Sequence, residues 1–383
     1  LPNAALLRDR ITAGTVVAAL EAPFYALAIA SALMARPLQA TPVRRRRTGI
    51  VLSVIYGALF AITAVLQSAV ATRTGMQGAA PWLGLLGVVV LEPVYKTMEY
   101  GQVNAVLMLL VALDLLAVPA SSRWRGVLSG LAAAFKLTPA IAVLVLLARC
   151  ERRAAATMVG TAVGVTALCW VVSPSESAQF FLSAMWDPSR AGFSDYSGNQ
   201  NLKGLVARWL PEGLWTAVWA VLVLAVLVGA WLLLRRLDAL RPAVRAGSAE
   251  DGPDGSAADA ATGDGTVLAV QVAVAMVTGL LVSPISWSHH WVWCLPALMA
   301  LTAAALRWRS PGLLTTAVAG LAVFGLAMQW WFPEQNHVEQ DWPFWVTVVG
   351  SSYTLWALGT GAVLWHATGR PGRRRGARTP AGA

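Results

Sequence analysis

Long apolar stretches divide the amino-acid sequence, and they constrain the chain more than any single motif. Residues 13–35, 49–71, 103–119, 154–173, 213–234, 266–284, 291–306, 312–332 and 346–366 are mostly apolar and nearly free of charge. A helix needs about 20 such residues to cross a bilayer. The pattern therefore predicts an all-α, polytopic membrane protein with about nine full spans. Composition agrees: 57% of the 383 residues are hydrophobic and 13% are charged. The charged share is half the roughly 25% of an ordinary soluble domain. A disordered chain and a soluble enzyme are both excluded. The net charge of +10 then reports membrane topology, and no nucleic-acid partner is expected.

The 29 basic residues comprise 26 Arg and only three Lys: Lys96, Lys136 and Lys203. Arginines cluster at Arg36 and Arg44–Arg47, at Arg123 and Arg125, and at Arg149, Arg152 and Arg153. Further clusters fall at 235–245, 307–309 and 370–378. Placing all of these in the cytoplasm leaves only Arg8, Arg10, Arg73, Arg190 and Arg208 outside, a strong positive-inside bias. Both ends of apolar segment 126–148 then lie on one side, so the segment should enter and return as two short helices. The break is expected at Lys136-Leu137-Thr138-Pro139, because Pro lacks a donor and its predecessor avoids helix. Residues 82–93 are apolar but short, and are read as a second half-depth segment with both flanks outside. Residues 1–11 read as part of an outer loop, with a further helix expected before Leu1.

Four regions follow: a membrane part with dipping helices and a long outer loop (1–235), a cytoplasmic linker (236–265), C-terminal membrane helices (266–366) and a basic cytoplasmic tail (367–383). The linker reading rests on the Gly, Ala, Ser, Asp and Glu content of 246–264. Cys150, Cys169 and Cys294 are scattered and give neither a disulfide framework nor a metal spacing.

Polar groups gather on the outer side or at membrane depth. Gln102 and Asn104 open a span in GQVN (101–104), Lys136 marks the helix break, and Asn199, Gln200 and Lys203 lie in the long outer loop. His289 and His290 follow Ser286 and Ser288 in SPISWSHHWVW (283–293). Amides can bond sugar hydroxyls, indoles can stack on sugar faces, and Lys can hold a phosphate as a point charge. The set suits a sugar linked to a phosphate whose lipid tail stays in the bilayer. Structural alternatives stand beside this reading: Gln102 and Asn104 as a polar helix start, Asn199 and Gln200 as turn residues, and the histidines as interface aromatics. Adjacent histidines lack the helical spacing of metal ligands, so neither metal nor cofactor is expected.

GQVN (101–104), GLAAAFKLTP (130–139), NQNLKG (199–204) and SPISWSHHWVW (283–293), in this order, make the chain resemble glycosyltransferase family 87, the actinobacterial polyprenol-phosphate-mannose-dependent mannosyltransferases. The resemblance implies a GT-C fold in the cell membrane with an extracytoplasmic active site. It implies transfer of mannose from polyprenyl-phosphate mannose to a mannose-bearing glycolipid or lipoglycan, with inversion and α-1,2 linkage. Carried onto this chain, it gives His290 a catalytic role with His289 beside it. Gln102 and Asn104 would shape the sugar pocket, and Lys136, Asn199 and Gln200 would contact phosphate or sugar. Arg190 and Lys203 would add positive charge. The family's acidic base lies upstream of a Tyr-Pro-Pro-like segment, whose counterpart here, Ala22-Pro23-Phe24-Tyr25, is degenerate. Asp9 is the stand-in, with the true base expected before Leu1. The alternatives are a transporter or flippase of lipid-linked sugars, and a truncated homologue that only binds them.

Overall fold

A computed structural model describes residues 73–75, 90–100, 102–186, 192–241, 256–334 and 336–369. Asp9, Arg190, the predicted spans 13–35 and 49–71, most of 82–93 and residues 370–383 lie outside them. The described chain is helical, and its only β pairing is an isolated bridge between Asn199 and Trp287. In order, the helices are α1 (Glu92–Glu99), α2 (Asn104–Ala112), α3 (Val127–Phe135), α4 (Val143–Ala148), α5 (Arg152–Val172), α6 (Pro174–Leu182) and α7 (Leu202–Trp209). They continue with α8 (Trp215–Asp238), α9 (Ser256–Val282), α10 (Cys294–Arg307), α11 (Pro311–Leu326), α12 (Phe344–Gly350) and α13 (Ser352–Thr368).

Five helical stretches are long and apolar enough to cross a membrane: Arg152–Val172, Glu212–Asp238, Thr262–Val282, Ser288–Arg307 and Pro311–Trp330. Each overlaps a predicted span. Two other predicted spans differ. Segment 103–119 forms α2 plus one π-helical turn, Leu113–Ala117. Those 14 residues rise about 21 Å, short of the roughly 30 Å hydrocarbon core. Segment 346–366 divides at Ser351 between α12 and α13, where Arg208 donates to the freed Ser351 hydroxyl at 3.0 Å.

The helices run between two chemically distinct ends. At one end Arg125 pairs with Glu151 at 2.5 Å, Arg149 with Glu151 and Asp264 at 3.2 Å each, and Arg241 with Asp264 at 2.7 Å. Buried cations persist because each finds a carboxylate or a carbonyl. Asp264 belongs to α9, so helix begins at Ser256 inside the segment read as a linker. The low-hydropathy composition misled because the acid's partners come from distant elements. Nineteen residues on, about 28 Å at helical rise, the Ser283 carbonyl accepts from Asn201 at 2.8 Å at the other end.

Segment 126–148 turns back on itself. Gly126 packs on the backbone of Ala154 and Met158, and Gly130 packs on Met158 and Thr161, so α3 and α5 run parallel. The α4 helix then returns to the same arginine-rich end, where Ala148 precedes α5 by four residues. Lys136 sits at the break, with extended backbone (φ −147°, ψ 132°). A Cβ on Gly130 would lie 2.5 Å from the Met158 carbonyl oxygen, so the contact requires glycine.

Arg73 corrects the topology read from charge. It was counted outside, yet its guanidinium donates to the Leu116 carbonyl and its backbone lies against Gly265, at the arginine-rich end. Glu92 lies at the opposite end, bonded to Ser288. Residues 82–89, on which the half-depth reading of segment 82–93 rests, lie outside the described residues. A single arginine carries little weight in a charge count, and Arg73 is held by the Leu116 carbonyl, 43 residues away along the chain.

Candidate active site

Three of the four sequence motifs meet at the end opposite the arginines. The Lys136 ammonium donates to Asn104 Oδ1 at 2.9 Å. The Asn104 amide then donates to the His289 carbonyl at 3.0 Å and to the Thr97 hydroxyl at 3.2 Å. Thr97 donates to the same His289 carbonyl. The start of α2, the tip of the α3–α4 turn and the 3₁₀ segment Ser288–Trp293 are thus tied through two side chains. Lys136 is partly buried, and among the described residues no carboxylate pairs with it. Its partner is a neutral amide, so its charge remains available to an anion.

His289 links this cation to an aromatic cavity. Its ring packs edge-on against Tyr100 at 5.0 Å, Trp287 at 5.7 Å and His290 at 4.4 Å between centroids. The cavity has a volume of about 270 Å³, with walls that include Tyr100, Phe193, Tyr196, Trp287, His289 and Trp330. His289 is buried, and its Nδ1 has no hydrogen-bond partner among the described residues. An unpaired buried ring nitrogen is costly unless a ligand supplies the partner. His290 does not line the cavity and stands behind His289, its backbone N–H bonded to the Trp287 carbonyl at 2.8 Å.

Glu92 is the hub beneath the site. This buried carboxylate accepts from the Ser288 hydroxyl at 2.8 Å, the Trp330 indole at 2.9 Å and the Tyr353 hydroxyl at 3.0 Å. It fixes the segment that carries His289 and one cavity wall together. Burial raises its carboxyl above the ordinary glutamate value, against the pull of its three donors. The Tyr196 hydroxyl is raised as well, first by burial and then by the charge of Glu334.

Asn199 and Gln200 serve the frame. Asn199 Oδ1 accepts from the Ser286 and Asn201 amides, both at 2.9 Å, and its own amide donates to the Ser194 carbonyl at 3.0 Å. The Gln200 amide donates to the carbonyls of Ser197 and Gly350. Both side chains are buried. They pin the long outer loop to SPISW and so build the cavity wall. Gln102 is exposed beside Thr97, to whose carbonyl its backbone N–H donates at 2.9 Å. Lys203 lies over the Trp219 ring at 5.5 Å, with no contact to Lys136 or His289. In the sequence Glu92 and Glu99 flank GQVN as candidates to line the site, and the structure makes Glu92 the hub. Thr97 and the aromatic walls Tyr100, Tyr196 and Trp330 were not singled out, because the partners that give them a role come from distant segments. The sequence reading also missed the clasp between outer loops, where Asp195 accepts from Gln340 and pairs with His337, both at 2.7 Å.

Comparison with known proteins bears on this arrangement. The model of glycosyltransferase family 87 matches residues 10–249. The chain is 37% identical over 284 residues to the polyprenol-phosphate-mannose-dependent alpha-(1-2)-phosphatidylinositol mannoside mannosyltransferase of Mycolicibacterium smegmatis, covering 72% of this chain and 58% of that protein. The protein of the same name in Mycobacterium tuberculosis is 34% identical over 291 residues, covering 72% and 60%. A polyprenol-phosphate-mannose-dependent alpha-(1-2)-phosphatidylinositol pentamannoside mannosyltransferase of Mycolicibacterium smegmatis is 30% identical over 323 residues, covering 83% and 70%. The chain spans about three-fifths of the length of the first two relatives. No solved structure matches it. The family model takes in most of the chain, including GQVN, the lysine turn and NQNLKG, and on that ground the chain belongs to glycosyltransferase family 87.

Proposed function

We propose that this chain transfers mannose from polyprenyl-phosphate mannose to a phosphatidylinositol mannoside, forming an α-1,2 linkage with inversion. The printed activities of its relatives support the donor, acceptor and linkage. The observation that carries the reading is the Lys136 ammonium, with no paired carboxylate among the described residues, beside an aromatic cavity with an unpaired histidine nitrogen. Lys136 would hold the donor phosphate and neutralise the charge that grows on it as the bond to mannose breaks. Asn104 would aim the ammonium. The cavity would take a hexose, its aromatic faces stacking on the sugar with His289 in the wall beside it. His290 would support the His289 ring, and Gln102 would edge the sugar site. Arg190 and Lys203 would add positive charge for the lipid phosphate.

Inversion needs a base that takes the acceptor proton opposite the leaving phosphate. Asp9 remains the proposed base within this sequence. The site lies at the end away from the cluster of ion-paired arginines (Arg125, Arg149 and Arg241), with Arg208 alone on its side among the described residues, so by the positive-inside bias we place it on the extracytoplasmic face of the cell membrane. Polar groups gathered at one end favour transfer over transport, which needs a polar path to both faces. The test is mannose transfer by detergent-solubilised protein, where no gradient exists. Donor-dependent extension of the acceptor lipid supports the reading. Donor binding without any extension would overturn it.

A further inference from the structure

A second cavity lies far from the site. It runs between α8, α9, α10 and α13, with a volume of about 320 Å³. Its floor includes Leu233, Val270, Ala273, Ala297 and Leu364, all buried, and its rim includes the exposed Ala225 and Gly229. Along α9 the lining extends from Val270 to Leu281, about 16 Å at helical rise. An apolar cavity of this size does not hold ordered water. Three of the four helices around it, α8, α9 and α10, belong to stretches long and apolar enough to cross a membrane, where the surrounding medium is hydrocarbon.

The mouth at the arginine-rich end has a different chemistry. Trp365 lines the cavity there and is 40% exposed. The Arg236 guanidinium stacks on its ring, 4.4 Å from the centroid. Among the described residues no carboxylate pairs with Arg236, in contrast to Arg125, Arg149 and Arg241. Its guanidinium lies between the Trp365 ring and Gly369 at the end of α13, and its charge has no carboxylate to neutralise it, which suits a phosphate. An apolar trough with one phosphate-matched cation at its mouth has the two-part character of a phospholipid.

We propose that the trough between α8 and α13 is a binding site for one anionic glycerophospholipid of the leaflet at the arginine-rich end, with an acyl chain against Gly229 and Gly361 and the headgroup phosphate on Arg236. The two glycines create the space: a Cβ at either position would meet no atom of the described residues within 4 Å. A side chain can therefore start at either position without a backbone clash, leucine there extends into the trough, and it raises local helix propensity. The doubly substituted protein is expected to fold.

The test is native mass spectrometry of the full chain, delipidated in detergent and then offered phosphatidylglycerol or phosphatidylcholine. Wild-type protein should retain one phosphatidylglycerol at detergent concentrations that strip phosphatidylcholine. Gly229→Leu/Gly361→Leu should lose that bound lipid at least tenfold. Arg236→Ala should bind both lipids equally. Equal phosphatidylglycerol retention by wild-type and the leucine variant would overturn the proposal, because the lipid then sits elsewhere. No retention by wild-type would overturn it too. Mannose transfer is not needed for this readout, so the site proposal and this one fail independently.

Discussion

At the residue scale the chemistry rests on few side chains, and their roles separate in ways the motifs did not show. Lys136 and Asn104 were legible, because a lysine inside an apolar segment and an amide opening one are conspicuous. Their bond at 2.9 Å joins residues 32 apart. Asn199 and Gln200 were equally conspicuous, yet their amides are spent on backbone carbonyls. Glu92 was visible as an acid flanking GQVN, but its role comes from partners far along the chain: three donors converge on it from Ser288, Trp330 and Tyr353. Glu92→Ala is expected to leave all three unpaired, at about 1–3 kcal/mol each, measurable as a lower thermal midpoint in detergent. Glu92→Gln keeps an acceptor and should cost far less. Because burial raises this carboxyl above its ordinary value of 4.5, the native chain holds that proton more tightly than the unfolded one. Its contribution is full below the ordinary value and fades as pH rises through the raised one. The pH dependence of stability in that window should flatten in Glu92→Gln, and an unchanged profile would contradict the assignment.

Among the elements, the α3–α4 turn is what delivers Lys136 to depth. The sequence signalled it twice, by arginines at both ends and by Lys-Leu-Thr-Pro at the middle. The packing that holds it is small-residue contact of the kind that joins helices in lipid. Gly130→Val is expected to overpack the contact with Met158 and Thr161 by about 1–3 kcal/mol. It should reduce both thermal stability and transfer, whereas Gly160→Val on the open face of α5 should change neither. The early start of α9 was not legible. Residues 256–264 read as a polar linker because the partners of Asp264, Arg149 and Arg241, are supplied by other parts of the chain.

Over the whole molecule, two opposed ends define the orientation: ion-paired arginines at one, and at the other amides, aromatics and Lys136, which has no carboxylate partner among the described residues. Charge counting found this polarity but misplaced Arg73, whose partner is a backbone carbonyl. The orientation can be checked with the native Cys150, which is exposed at the arginine-rich end. In right-side-out vesicles a membrane-impermeant maleimide should label Ser175→Cys directly and Cys150 only after permeabilisation. Reversed labelling would invert the topology. The central claim is that Lys136, held by Asn104, is the phosphate-binding cation of a mannosyl transfer. Its most direct test is transfer of radiolabelled mannose from polyprenyl-phosphate mannose to a phosphatidylinositol mannoside by purified wild-type and Lys136→Ala protein of matched thermal midpoint. The expected result is a labelled, mannose-extended lipid from wild-type and a loss of about 10²-fold or more in the variant, the scale of removing one charge-stabilising group. Transfer by Lys136→Ala at the wild-type rate would contradict the account.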